Sequence, residues 1–300
     1  MPKDVINSES KIEIQGCEKE NLRLRCVEIL VRYSMTHSIT DLLDLDRYPI
    51  DQPQCSGYTE LVARCQADLS ENGMFNLSGF MHPDAAHSAV AQLAPDMATH
   101  AFEHKREHNI YFLKDIPGLP DDHPALQKCK TINHTLCADQ MPDNPVTQIY
   151  EFLPLANFLS DVMQRPKLYL MEDPLARYNV MAYRAGEALN WHFDRSEFTT
   201  TLLLQAPEQG GAFVYRSDLR TADDPNYDGV ARLLRGQDDQ VKSITLDPGT
   251  LNVFKGLNTP HRVSPVQGET ERVIAVFSYY ERPGVMFSQE ERLGFYGRAG

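Results

Sequence analysis

Cysteine is scarce and one-sided: all six (Cys17, Cys26, Cys55, Cys65, Cys129 and Cys137) lie in the first half of the 300 residues, with no CxxC pair. That spacing excludes a zinc knuckle and offers no disulfide framework, so reduced, mostly structural thiols are expected. Long apolar runs are also missing. Stretches such as Ile274 to Tyr280 fall far short of the roughly 20 residues a membrane helix needs. The N-terminus, Met-Pro-Lys-Asp-Val-Ile-Asn-Ser-Glu-Ser, has no apolar signal core, which makes a cytoplasmic protein the expectation. Basic charge is in deficit, with Lys+Arg 29 against Asp+Glu 42 for a net charge of −13. Such a field repels phosphate backbones and anionic membranes, so neither nucleic acid nor membrane is expected as a partner. Disorder is excluded by 42% hydrophobic residues, enough for a sizeable core.

What is present changes character near residue 170, and the change is one of hydrophobic period rather than a linker. Before it the signals are helical. Leu61, Val62, Cys65 and Leu69 recur at helix spacing, Gly73 follows as a stop, and Asp84 is read as the cap of a run beginning Ala85-Ala86. Asn144-Pro145 opens another helix with Val146, Ile149, Tyr150 and Leu153 on its apolar face, broken or kinked by Pro154 and continued through Phe158, Leu159 and Val162. Beyond residue 170, Tyr178–Tyr183, Thr199–Gln205, Ala212–Tyr215, Val241–Leu246, Thr250–Phe254 and Arg272–Tyr279 are short β-branched or aromatic runs. Gly210-Gly211 and Asp247-Pro248-Gly249 punctuate them as turns. Strands at this spacing predict an antiparallel sandwich or barrel. The polar, acid-rich segment 218–240 reads as a surface insertion or lid rather than core.

The strongest chemical signal is Asn190-Trp191-His192-Phe193-Asp194, together with His261 beyond the strand that ends at Phe254. In a strand His192 and Asp194 point to one face because the side-chain period is two. Two histidines and a carboxylate make a facial set that holds Fe(II) on one side and leaves positions open for a cosubstrate and dioxygen. A lone HxD is weak, and His82-Pro83-Asp84 is a decoy that precedes a helical run. The ordered context is stronger: strand, HxD, strand, double glycine, strand, turn, strand, His261, then Arg272. The Arg272 guanidinium suits the anionic tail of a dicarboxylate cosubstrate. Arg184, Trp191, Arg195 and Glu197 flank the set and are the candidates for contacts to a polar substrate. Arg195 and Glu197 could instead pair with each other.

A rival constellation is His100-Ala-Phe-Glu-His104 and the overlapping His104-Lys-Arg-Glu-His108. Both read HxxEH, which on a helix is an inverted zinc-peptidase pattern. The neighbouring charges make this stretch look solvated, so these histidines read as surface or partner-facing residues. A zinc hydrolase and a non-catalytic jelly-roll binding module are the alternative readings.

Residues 176–280 resemble the catalytic domain of the Fe(II)- and 2-oxoglutarate-dependent dioxygenases. The segments Asn179-Val-Met-Ala-Tyr183, Gly186, Leu189-Asn-Trp-His-Phe-Asp194, Thr200-Thr-Leu-Leu-Leu204, Gly210-Gly211 and His261-Arg-Val-Ser-Pro265 are similar to prolyl-hydroxylase-type enzymes. They are closer still to the bacterial group of free-lysine halogenases and hydroxylases. The resemblance implies a mainly β protein with a helical N-terminal half. A double-stranded β-helix (jelly-roll, cupin-like) catalytic core would span residues 170–300 with an insertion at 218–240, and a mainly helical region, 1–169, would pack on it. It implies His192, Asp194 and His261 on Fe(II), Arg272 and Tyr183 on 2-oxoglutarate, dioxygen as second cosubstrate, and a small-molecule substrate, a free amino acid or derivative. Two departures stand out. The halogenases have a small residue where this chain has Asp194, so hydroxylation of an unactivated C–H bond is the implied outcome. Relatives often place Thr or Ser a few positions after the arginine, where this chain has Val273, Ile274, Ala275 and Val276, leaving that hydroxyl missing or supplied by Ser278.

Overall fold

A computed structural model of the chain describes residues 37–300, so Cys17, Cys26 and the first 36 residues of the expected helical region lie outside the described residues. Residues 39–300 form one compact unit. After a short helix α1 (Ile39–Leu42), α2 (Ser56–Asn72) begins where the Cys55 side chain accepts the Tyr58 amide. It buries Tyr58, Leu61, Cys65 and Leu69 at three- and four-residue spacing. The helix stops at Gly73, whose φ of +74° and amide bond to the Leu69 carbonyl form a left-handed cap. Strand β1 (Met74–Leu77) leads to α3 (Pro83–Thr99), which is capped differently from the sequence expectation. Its N-cap is His82 with no side-chain bond, because Pro83 at the first position already fixes the helical φ. Asp84 sits inside the first turn, where it meets the positive end of the helix.

Two strands follow, β2 (Phe102–His108) and β3 (Cys129–Cys137). Then α4 (Pro145–Glu151), opened by Asn144 accepting the Val146 amide, gives way at Phe152 to α5 (Leu153–Val162). The break turns Leu153 out to 60% exposure rather than leaving it on the apolar face, while Val146, Ile149, Tyr150, Phe158 and Leu159 are fully buried. The remaining strands are β4 (Tyr169–Leu170), β5 (Tyr178–Tyr183), β6 (Leu189–His192), β7 (Thr199–Gln205), β8 (Gln209–Gly210), β9 (Phe213–Tyr215), β10 (Lys242–Ile244), β11 (Leu251–Phe254), β12 (His261–Val263), β13 (Val266–Gln267), β14 (Arg272–Phe277) and β15 (Tyr279–Tyr280). Helix α6 (Tyr227–Leu234) lies between β9 and β10, and α7 (Gln289–Tyr296) ends the fold.

The strands form a seven-stranded sheet, β1-β11-β7-β14-β5-β3-β2, facing a four-stranded sheet, β10-β9-β12-β6, with two short ribbons, β13-β8 and β15-β4. All pairs are antiparallel, giving a jelly roll buttressed by helices. One face of the large sheet carries Leu136, Tyr178, Val180, Ala182, Leu202, Leu251 and Ala275 into the core shared with the helices. On the other face Phe102, Thr135, Met181 and Ile274 are successive Cα partners across β2, β3, β5 and β14. Alternation therefore puts His104, Arg106, Asn133, Tyr183 and Arg272 on that same inner face. The first half of the chain thus supplies three strands of the sheet as well as helices.

The segment 218–240 is more than surface. Leu219, Val230 and Leu233 are buried with Ile110, Ala125 and Phe193 in a second apolar cluster, with Trp191 packed against it. Most of its acids stay outside because the amphipathic α6 turns its apolar side inward, whereas Asp238 is covered and pairs with Arg216 at 3.1 Å. No helix among the described residues is long and apolar enough to cross a membrane.

Candidate metal centre

His192 closes β6 and His261 opens β12, and the two are direct partners in that antiparallel pair. Register alone sets the imidazoles side by side, with ring centroids 4.2 Å apart. Two residues on, Asp194 returns to the same face, its amide anchored on the Gly256 carbonyl at 3.0 Å. Asp194 Oδ1 lies 3.3 Å from His192 Nε2 and 3.6 Å from His261 Nε2. All three donor atoms fall within 4.8 Å of one another, the one such cluster among the described residues.

Each imidazole is oriented from behind. His192 Nδ1 meets the Asn190 carbonyl at 2.8 Å and His261 Nδ1 the Thr259 carbonyl at 3.0 Å. A carbonyl only accepts, so Nδ1 carries the proton and the Nε2 lone pairs face Asp194. Burial pushes the His261 imidazole down to about 4, so it is neutral near neutral pH. Burial alone would raise the Asp194 carboxyl, but the charge that His261 and His192 carry when protonated in acid, together with the Thr199 hydroxyl, outweighs it and holds the group below the usual carboxylate range. A neutral imidazole and an ionised carboxylate are the states a divalent metal binds. Thr199 Oγ1 donates to Asp194 Oδ2 at 2.5 Å, and a Cβ on Gly256 would fall 2.1 Å from that oxygen. Both constraints act on Oδ2, leaving Oδ1 toward the two imidazoles.

Arg272 is 3% exposed, yet no carboxylate pairs with it among the described residues. Its Nε donates to the Gly211 carbonyl at 3.1 Å and its guanidinium stands 5.8 Å from the Tyr183 ring centroid. Gly211 is required there, with φ +61° and a would-be Cβ 2.6 Å from Pro207 and 3.1 Å from Arg272. Burial also pushes the Tyr183 hydroxyl up to about 12, so it remains a proton donor, and its nearest partner is Met181 Sδ at 4.0 Å. Thr250 Oγ1 is buried without a partner. A buried cation without a counter-charge, beside a phenol whose one hydrogen bond goes to a thioether, fits a small dianion beside a metal. Ser278 does not complete this cradle: it lies six residues beyond Arg272 and donates to the Ala176 carbonyl at 3.1 Å.

The expected substrate contacts are engaged elsewhere. Arg184 Nε pairs with Glu271 at 2.9 Å, Arg195 pairs with Glu291 of α7 at 2.8 Å, and Glu197 pairs with Arg165. The pairing of Arg195 with Glu197 does not form, because α7 and the residues after α5 bring nearer counter-charges. Trp191 faces away from His192, under the Arg262 guanidinium at 5.2 Å.

The HxxEH helix is absent, since Phe102–His108 is a strand. Glu103, Lys105 and Glu107 are exposed while His104, Arg106 and His108 turn inward, so the two histidines of each motif are not one helical turn apart on a shared face. These inward residues are also what the sequence reading missed. The signal was there: ring or cation alternates strictly with exposed charge from Phe102 to His108, a period of two rather than 3.6. His108 reaches the centre, its ring centroid 6.3 Å from that of His192 and its Nε2 2.8 Å from Thr131 Oγ1.

Jelly roll, two-histidine and one-carboxylate cluster and unpaired inward arginine together define a 2-oxoglutarate-dependent iron oxygenase. A family model described as Halogenase D matches residues 59–286, and the chain belongs to that family. Among solved structures, AviO1 from Streptomyces viridochromogenes Tue57 is 16% identical, with 74% of this chain and 96% of that chain covered and a TM-score of 0.50, a likeness of fold. A Pseudomonas putida prolyl-4-hydroxylase is 14% identical, covering 74% of this chain and 100% of its own, with a TM-score of 0.46. A Burkholderia pseudomallei protein described as an oxidoreductase of the 2OG-Fe(II) oxygenase family is 16% identical, covering 75% and 92%, also with a TM-score of 0.46. A search of curated proteins returned no match.

Proposed function

We propose that the protein hydroxylates an unactivated C–H bond of a small polar substrate, a free amino acid or close derivative, using Fe(II), 2-oxoglutarate and dioxygen. The observation that carries this reading is Asp194: a carboxylate 3.3 and 3.6 Å from the two imidazoles supplies the third ligand. A halogenase of the group the sequence resembles has a small residue there, leaving room for halide. In this chain Thr199 and Gly256 fix the carboxylate in that place. His192, Asp194 and His261 hold the metal from one side and leave the other open. Arg272 pairs with the distal carboxylate of 2-oxoglutarate, and the Tyr183 phenol donates to the same cosubstrate. When bound, the iron and cosubstrate supply the oxidising power, 2-oxoglutarate leaving as succinate and carbon dioxide.

The test is anaerobic loading with Fe(II), followed by oxygen, 2-oxoglutarate, chloride and a panel of free amino acids, with succinate and product mass measured. A coupled product heavier by one oxygen atom is expected. A chlorinated product would overturn the hydroxylase assignment, and coupling by peptides, carrier-bound substrates or nucleosides alone would overturn the small-molecule one.

A further inference from the structure

The inner face of β2 and β3 carries a second cation without a partner. Arg106 is half-buried, and no carboxylate or hydrogen-bond acceptor engages it among the described residues. Its guanidinium stands 4.4 Å from the Phe112 ring centroid. Phe112 in turn stacks on His108 at 4.3 Å and meets the edge of His192 at 5.8 Å. Arg106 is thus one aromatic ring away from a metal-facing imidazole. Beside it, the inward His104 side chain makes no hydrogen bond with a described residue, and Asn133, its Cα partner, uses only its Oδ1, on the Thr135 hydroxyl. Burial pushes His104 down to about 4, so it offers a neutral hydrogen-bonding ring while Arg106 supplies the charge.

The platform is built at a cost in backbone strain. Phe112 has φ +55°, a left-handed conformation that a bulky aromatic rarely adopts. Asn109 imposes it: Oδ1 accepts the amides of Tyr111 and Leu113, each at 3.1 Å, and Nδ2 donates to the Leu113 carbonyl at 2.6 Å. Strain held by a dedicated side chain, with a ring under a lone guanidinium as its result, is the mark of a binding wall.

Arg272 and Arg106 are held against different walls: Arg272 by the Gly211 carbonyl and the Tyr183 ring, Arg106 by the Phe112 ring. Arg272 lies on β14 and Arg106 on β2, with β5 and β3 between them. At about 4.8 Å per strand their backbones stand about 14 Å apart, which gives each cation its own part of the inner face. Resting on the small-substrate reading above, we propose that Arg106, with His104 and Asn133, forms the substrate subsite and takes a carboxylate of the substrate, in place of Arg184 and Arg195, which are already paired.

The test compares wild-type protein with Arg106→Gln and Arg106→Lys, each loaded anaerobically with Fe(II) and 2-oxoglutarate. Free amino acids and their carboxamides are the probes. Binding is read by saturation-transfer NMR without oxygen, and coupling by succinate release with it. In the wild type, at least one acid binds and couples while its carboxamide half-saturates roughly 10- to 100-fold higher, the span of one charge-assisted contact. Arg106→Gln raises the half-saturation of the acid by a similar factor but moves that of the carboxamide by less than about twofold, and Arg106→Lys restores part of the difference. Equal effects of Arg106→Gln on acid and carboxamide, or a loss confined to 2-oxoglutarate affinity, would overturn the subsite while leaving the proposed function standing. Coupling only by compounds without an anionic group would do the same. If no probe binds or couples to the wild type, the small-molecule reading itself falls, and the subsite with it.

Discussion

Replacing Arg272 by glutamine moves stability and cosubstrate affinity in opposite directions. The guanidinium is 3% exposed and has one hydrogen bond, to the Gly211 carbonyl at 3.1 Å, and one ring contact, to Tyr183 at 5.8 Å. Burying an ion without a counter-charge costs several kcal/mol. The hydrogen bond returns about 1 kcal/mol and the ring contact about another 1 kcal/mol. Glutamine can still donate toward Gly211 and carries no charge, so the metal-free protein is expected to gain about 1–2 kcal/mol. For a chain of this size that raises Tm by a few degrees, at about 2–4 °C per kcal/mol. Loss of the charge-assisted contact costs about 1.5–3 kcal/mol of 2-oxoglutarate binding, a rise in KM of roughly 10- to 100-fold. The thermal shift given by cosubstrate reports the same quantity: at 100 times the wild-type Kd, stabilisation of about 2.7 kcal/mol falls to about 0.4 when Kd rises 100-fold. Melting curves with and without Fe(II) and 2-oxoglutarate, together with succinate-release kinetics, give both arms. An unchanged KM, or a metal-free Tm lowered like that of an ordinary core deletion, would refute the reasoning.

Asp194→Ala is expected to abolish nearly all 2-oxoglutarate turnover and weaken Fe(II) binding by at least about tenfold with the fold intact, read by succinate release and metal titration; wild-type turnover would remove Asp194 from the ligand set. Gly256→Ala places a methyl group where Asp194 Oδ2 now lies, 2.1 Å from the new carbon. Its Fe(II) affinity should fall about 10-fold or more while far-UV dichroism is retained, and an unaltered metal isotherm counts against the carboxylate placement. Asp173 is fully buried; desolvation alone would raise its carboxyl, but the amides of Ala176, Leu175 and Phe287 and the Arg292 guanidinium hold it below its usual value. With the folded pKa below the unfolded one, its stabilisation is complete above the ordinary carboxylate pKa of about 3.9 and is lost as pH falls through the folded value. Urea unfolding should therefore show Asp173→Asn less stable than wild type at about pH 7, with the gap narrowing toward about pH 3; a gap independent of pH would contradict this.

The chain order of His192, Asp194, His261 and Arg272 was legible because each sits at a strand end or just past one, where a period of two and the turn glycines make orientation readable. Tyr178–Tyr183 and Thr199–Gln205 run between the residues the alternation suggested, for the same reason. Phe102–His108 was misread because HxxEH matches a helical motif by letter, and an edge strand with one charged face has little hydrophobic period to contradict it. The substrate side of the site was beyond the sequence. Whether Arg184 or Arg195 is free depends on Glu271 and Glu291, each more than 80 residues away. Sequence determined which side chains each strand turns to one face, because that is set by local backbone geometry. Tertiary structure alone decided which of those charges are already neutralised, because ion pairing depends on distances between segments that only the packed sheets bring together.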